Sequence, residues 1–246
     1  METKATITQN PNIGELVTHD WRKAEVFKKY NIDFCCGGKK TVEEACAKKG
    51  VDPAVVKFEL KKIDEKPLNN THNFNSWKLD FLADYIVNNH HQYVSEAIPF
   101  LAELSEKVSR VHGEHHPELV EIERHTQAVI HELTLHMRKE EMILFPYIRQ
   151  MVQATEDHKP IAPPPFGTIA NPINMMEEDH LMAGNALESI ASLSNQFTPP
   201  VDACMSYRVL FAKLQEFQQD LHQHVHLENN ILFPKALKLE EELMAN

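Results

Sequence analysis

The chain has 246 residues, 42% of them hydrophobic, which is enough apolar material for one large or two modest globular domains and excludes a disordered chain. A formal charge of −11, from 25 basic and 36 acidic residues, leaves no basic stripe for a phosphate backbone and argues against a nucleic-acid partner. Only 7 Gly against 14 Pro, with no apolar run of the ~20 residues a membrane helix needs, point to an all-α protein without a membrane partner.

Residues 1 to 10 are polar and expected to be mobile. From Ile13 to Tyr30 the apolar positions Ile13, Leu16, Val17, Trp21, Ala24, Val26 and Phe27 predict one or two short helices, with Asp20 as a cap between them. Asn31-Ile-Asp-Phe-Cys35-Cys36-Gly37-Gly38 follows, where the two glycines imply a turn needing positive φ or close backbone approach. Cys35 and Cys36 read either as packing or as an exposed pair of redox-active, metal-binding or NO-reactive thiols. Cys46 and Cys204, placed on helices, read as structural. Four cysteines make no disulfide framework for this length, and there is no basic segment leading into an apolar one at the N-terminus, so a cytoplasmic protein is expected.

Thr41-Val-Glu-Glu44 is a capping box, and Asp52-Pro53 opens a further helix to about Asp64. These elements make a small helical domain over 1–65. Its core of roughly 60 residues is thin enough to depend on docking or self-association, so a homodimer is one expected form. Residues 66–76, polar and broken by Pro67, read as a linker to a second domain over 77–246.

That second domain reads as four long helices. The first spans 77–111 with the stripe Val87, His91, Val94, Ile98, Leu101 and Val108; a turn follows at 112–117, where His112, His115 and His116 read as a solvated loop. The second spans 117–152, and the proline-rich stretch 155–172 must be irregular. The third spans 173–195, with Ile173, Met176, His180, Ala183, Leu187 and Ile190 in step. The fourth opens at Thr198-Pro-Pro-Val-Asp202 and continues past Pro234, with a kink expected there. Their connections predict an antiparallel up-down-up-down four-helix bundle.

His136-Met-Arg-Lys-Glu140-Glu-Met-Ile-Leu-Phe-Pro146 in the second helix returns in the fourth as His224-Val-His-Leu-Glu228-Asn-Asn-Ile-Leu-Phe-Pro234. In each copy His and Glu stand four apart, on one helix face. They also sit inside apolar stripes, Val129, Leu133, His136, Glu140 and Ile143 in one copy and Leu210, Leu214, Phe217, Leu221, His224, Glu228 and Ile231 in the other. A buried carboxylate without a partner is costly, so imidazole and carboxylate from facing helices are expected to meet at a metal. The candidate ligands are His91, His136, Glu140, His180, His224 and Glu228. Adjacent His90 rivals His91, although its register neighbours Ile86, Tyr93 and Ala97 make a weaker stripe. His222 and His226 are expected on other, solvent-facing sides. Six ligands without a thiolate are too many for one tetrahedral zinc and suit two first-row ions with bridging carboxylates, an oxo or hydroxo bridge and an open position for O₂ or NO.

Asp33-Phe-Cys-Cys-Gly-Gly-Lys39 in a short helical domain, followed by His-x-x-x-Glu-x-x-Ile-Leu-Phe-Pro twice in a bundle, resembles the ScdA/YtfE type of iron-sulfur cluster repair proteins along nearly the whole chain. The resemblance implies a hemerythrin-like bundle with a non-haem di-iron centre that helps restore damaged iron-sulfur proteins under nitrosative or oxidative stress. It favours His91 over His90, because the family motif places that ligand eight residues before the proline that is Pro99 here. Fewer histidines stand in register than oxygen-carrying hemerythrins use, which argues against plain O₂ carriage. Iron supply to damaged clusters, enzymatic reduction of NO, and sensing of O₂ or NO are the three functions this pattern can serve.

Overall fold

The computed structural model describes residues 11–65 and 73–245. The expectations for residues 1–10, and the linker reading over 66–72, lie outside the described residues. Among those described there is no strand, and no helix is long and apolar enough to cross a membrane. The chain divides into two compact units. One holds the residues up to Lys78 together with Val225–Pro234, the other Leu79–His224 and the residues from Lys235 on.

In the first unit four short helices begin and end where local chemistry dictates. Helix α1 (Ile13–His19) starts with a capping box between Asn12 and Glu15, and α2 (Lys23–Lys29) follows a turn in which Asp20 accepts from the backbone and guanidinium of Arg22. Helix α3 (Val42–Lys49) has the Thr41–Glu44 capping box and stops at Gly50, whose φ of 67° is left-handed. Helix α4 (Pro53–Asp64) is capped by Asp52. It packs against α2 and α3 over Ala24, Phe27, Val56 and Leu60.

The turn between α2 and α3 is built on Asp33, whose carboxylate accepts from the backbone N–H groups of Cys35, Cys36 and Gly37 at 2.9–3.0 Å. Neither Gly37 nor Gly38 has positive φ; close approach is the reason for glycine here. A Cβ on Gly38 would lie 2.3 Å from Asn230 Oδ1 and 2.8 Å from the Phe34 carbonyl. Asn230 donates to the carbonyl oxygens of Phe34 and Cys35. His226, expected on a solvent-facing side, is 1% exposed and wedged between the rings of Trp21 and Phe34. That expectation assumed solvent opposite the His224 face, whereas residues 225–234 pack against α1 and the Asp33 turn.

The second unit carries the long rods, apart from Val225–Pro234 of the fourth, which belong to the first unit. The first consists of α5 (Leu79–Tyr85), a π-helical segment (Ile86–His91) and α6 (Gln92–His112). The second consists of α7 (Glu118–Lys139), a π segment (Glu140–Leu144) and α8 (Phe145–Asp157). The third is α9 (Ala170–Leu193). The fourth consists of α10 (Met205–Leu227), a π segment (Glu228–Leu232) and α11 (Phe233–Met244). Helix α7 packs against α6 and α9, and α5 against α8. With only a short turn between them, α6 and α7 run antiparallel, as an up-down-up-down bundle requires.

Several details depart from the expected stripes. Each π segment inserts a residue into the turn and shifts the inward face by one position. Leu82, Ile86 and His90 are buried in the register that enters the first segment, and His91, Val94 and Leu101 in the register that leaves it. Ile143, assigned to the core stripe, is accordingly exposed while Leu144 and Phe145 are buried. The expected kink at Pro234 takes this form too, a widened turn ending at Phe233.

The fourth rod opens at Met205, later than expected, because Asn195, Gln196 and Phe197 are all left-handed (φ 48°, 56° and 57°) and unwind the chain after α9. Cys204 therefore precedes the helix and is exposed, its Sγ 3.1 Å from His112 Nε2. The turn histidines are also more engaged than a solvated loop implies. His116 bridges Glu118 and Asp202 at 3.1 Å each, and Asp202 foremost raises its pKa.

His226 gives this region a pH dependence. Burial pushes its pKa down from 6.5 to about 3, and Asn230 donates to its Nδ1, holding the ring neutral. Between those values the unfolded chain binds a proton that the folded one does not. This contribution to stability is therefore complete above about pH 6.5 and lost as pH falls toward 3. In chemical denaturation of the metal-free protein, wild type should lose stability below pH 6.5 more steeply than His226→Phe; parallel pH profiles would remove this assignment.

Candidate metal centre

Six buried side chains meet inside the rods. His91 closes the first π segment, His136 stands one turn before the second and Glu140 begins it, His180 lies mid-way along α9, and His224 and Glu228 flank the end of α10. None is more than 2% exposed. Their ligand atoms form two groups, each with all members within 4.8 Å of one another. His91, Glu140, His224 and Glu228 make one; His136, Glu140, His180 and Glu228 make the other. Both carboxylates belong to both groups, and each group has two imidazoles of its own.

Glu140 Oε2 lies 3.3 Å from His91 Nε2 and 3.2 Å from His136 Nε2, while His180 Nε2 is 3.0 Å from His136 Nε2. The remote nitrogens of His91 and His136 point outward to carboxylates. His91 Nδ1 meets Glu141 at 2.8 Å, and His136 Nδ1 meets Asp179 at 3.3 Å. A carboxylate on Nδ1 places the ring proton there and leaves the Nε2 lone pair facing inward, the state a metal ligand requires. Asp179 stays ionised, its pKa held at about 2 by the His136 hydrogen bond first and by Lys139 at 2.7 Å. Four imidazoles and two carboxylates closed off from water suit a first-row cation, and the donor set fits one.

Sequence reasoning missed Glu141, Asp179, Lys139 and Asp220. Asp220 stands four residues before His224, and its Oδ1 is 2.9 Å from Nδ1 of His90. His90 itself is buried yet belongs to neither group. The i−4 spacing from Asp220 to His224, and Glu141 beside Glu140, were the available signals.

Asp33, Cys35 and Cys36 form a third group within 4.8 Å. Cys35 is 4% exposed, its Sγ 3.0 Å from Asp33 Oδ1 and 4.0 Å from Cys36 Sγ. The hydrogen bond with Cys36 foremost, then burial, pushes its thiol well above the ordinary range, so it is protonated at neutral pH. Cys36 is half-buried.

All-helical rods enclosing such a donor set define a cation-binding helical protein, and the comparisons agree. Residues 82–236 match the hemerythrin HHE cation binding domain, and residues 9–64 match ScdA_N, described as a domain of unknown function (DUF542). The iron-sulfur cluster repair protein YtfE of Musicola paradisiaca (strain Ech703) is 37% identical over 229 residues, 93% of this chain and 97% of that protein. The proteins of the same name from Shigella boydii serotype 4 (strain Sb227) and Escherichia coli O81 (strain ED1a) are each 36% identical over 225 residues, 92% of this chain and 96% of theirs. The chain belongs to the family of these YtfE repair proteins.

Two measurements follow. Asp179→Asn, which leaves His136 without its carboxylate, should weaken metal binding ~10–100-fold in a competition titration while the helical circular dichroism is kept; unchanged affinity would remove the orienting role. Brief alkylation with iodoacetamide at neutral pH should label Cys36 and Cys204 at least about tenfold faster than Cys35 and Cys46, and equal labelling of Cys35 would contradict its buried, protonated state.

Proposed function

We propose that this protein holds two iron ions and uses them to repair damaged iron-sulfur clusters by supplying iron. The observation that carries this reading is the partition of the six donors into two groups that share both carboxylates. In it His91 and His224 would hold one ion, His136 and His180 the other, and Glu140 and Glu228 both, with an oxo or hydroxo group completing the bridge. Six donors exceed a tetrahedral zinc, and the lack of a thiolate among them suits a hard-to-borderline ion. The relatives named iron-sulfur cluster repair protein give the direction of use.

The chain's own residues do three things in this scheme. The apolar walls, among them Leu133, Leu221, Ile231 and Phe145, keep bulk water from the donors. Glu141 and Asp179 orient His91 and His136 and keep their inward nitrogens unprotonated. The paired carboxylates supply negative charge where cations collect. Bound iron supplies a labile, redox-active cation that a damaged cluster can take up. The organisation proposed with it is a helical domain over 1–65, a linker over 66–76 and the iron-holding bundle over 77–246, with Cys36 as the accessible thiol of the first domain.

Iron-loaded protein should contain about two ions per chain and restore activity to an oxidised iron-sulfur dehydratase. Glu140→Ala and Glu228→Ala should bind iron ~10–100-fold more weakly and restore little. Equal repair by the iron-free variants would overturn the reading.

A further inference from the structure

One buried imidazole beside the centre has no part in holding it. His90 precedes His91 in the first π segment and is 4% exposed, the last inward position before the one-residue shift that buries His91 as well. Its ring lies parallel to that of His224, 9° apart at 5.5 Å between centroids, and Tyr85 meets it edge-on. Nδ1 lies 2.9 Å from Asp220 Oδ1, while Nε2 is buried with no hydrogen-bond partner among the described residues. The second oxygen of Asp220, Oδ2, is likewise buried and unpartnered among them. Leaving such atoms unpaired is unfavourable, and structures retain them where a ligand uses them.

His90 has the chemical preparation of a metal ligand. A carboxylate accepts a hydrogen bond from Nδ1–H and so leaves the lone pair on Nε2, as Glu141 does for His91 and Asp179 for His136. It also stands in an exposure gradient. The Asp220 side chain is 21% exposed, that of His90 is 5%, and His224 is fully buried. Oxygen and imidazole donors thus lead from the surface of the bundle toward the centre.

We propose that His90, held by Asp220, is an auxiliary donor through which ferrous iron passes between solvent and the centre. The inference rests on the iron-supplying function argued above, which requires an ion to leave a site whose ligands are almost wholly shielded from water. A spare lone pair beside His224 allows ligands to be exchanged one at a time, so iron is never stripped of all donors in an apolar interior. The ion moves as Fe²⁺ with no change of oxidation state and no covalent bond to protein.

The test uses the full chain loaded anaerobically with Fe²⁺, comparing wild type with His90→Phe, which retains a ring to stack on His224, and with Asp220→Asn, which is partly exposed and perturbs packing least. Bound iron per chain and the visible spectrum report the resting centre, and transfer to a chromogenic Fe²⁺ chelator reports release. Both variants should keep wild-type iron content and spectrum while releasing iron on the order of tenfold more slowly. Release at the wild-type rate overturns the proposal. Reduced iron content or a changed spectrum also overturns it, by making His90 part of the resting centre. A wild type that takes up no iron overturns the metal reading itself, and the relay with it.

Discussion

Two carboxylates buried at the middle of a helical core are the constraint to which the rest of the molecule answers. Glu140 and Glu228 have no exposure to solvent, and an ionised carboxylate transferred from water to such surroundings is strongly disfavoured unless positive charge or hydrogen bonds replace the lost hydration. The core gives up apolar packing at six positions, two for these carboxylates and four for the imidazoles that surround them. In the same stripes Leu133, Leu144, Leu221 and Leu232 are all buried. Metal binding and bundle stability are therefore linked, because a cation neutralises charge that the fold has already taken out of water.

The Ile-Leu-Phe-Pro tail of both repeat copies belongs to the same solution. Proline cannot donate a backbone hydrogen bond, and its ring collides with the carbonyl four residues earlier in a regular helix. The chain widens the preceding turn instead, and the N–H groups of Phe145 and Phe233 reach back five residues to the carbonyl oxygens of Glu140 and Glu228. The backbone of each shared carboxylate is thus held by the bulge that precedes its proline. Leu144 and Phe145 are buried, as are Leu232 and Phe233, so the tail also rebuilds the apolar wall after the shift in register.

Much of this was legible from residues alone, and the misses share a physical cause. Period-3.6 stripes located the long rods, and the capping residues Thr41 and Asp52 marked helix starts to the residue. The recurrence of His and Glu at i, i+4 marked the polar centre within those stripes. A fixed period carries no information about an inserted residue, so it opposed His90 to His91 when the π segment buries both, and it placed Ile143 in the core when Leu144 takes that position. His226 was misread for a different reason. Helix periodicity identifies one buried face, and a face that meets a second set of partners, here Trp21 and Phe34, looks polar and solvent-facing from its own sequence. The left-handed run Asn195–Phe197 that delays the fourth rod and exposes Cys204 involves two residue types not expected there, since only Asn visits that conformation readily.

Shielding and release make opposing demands on such a centre. Donors withdrawn from water hold a cation through low-dielectric electrostatics, and the same burial closes the route by which it would leave. Carboxylates and neutral imidazoles suit a hard-to-borderline first-row ion, and neither donor group of the centre contains a thiolate. The cysteine-bearing turn is built to the opposite rule. Asp33 accepts from three successive backbone N–H groups, and Cys35 is kept buried and protonated beside it. That turn therefore withholds one thiol, buried and protonated, and leaves its neighbour, Cys36, half-buried, a difference set by backbone geometry between adjacent residues.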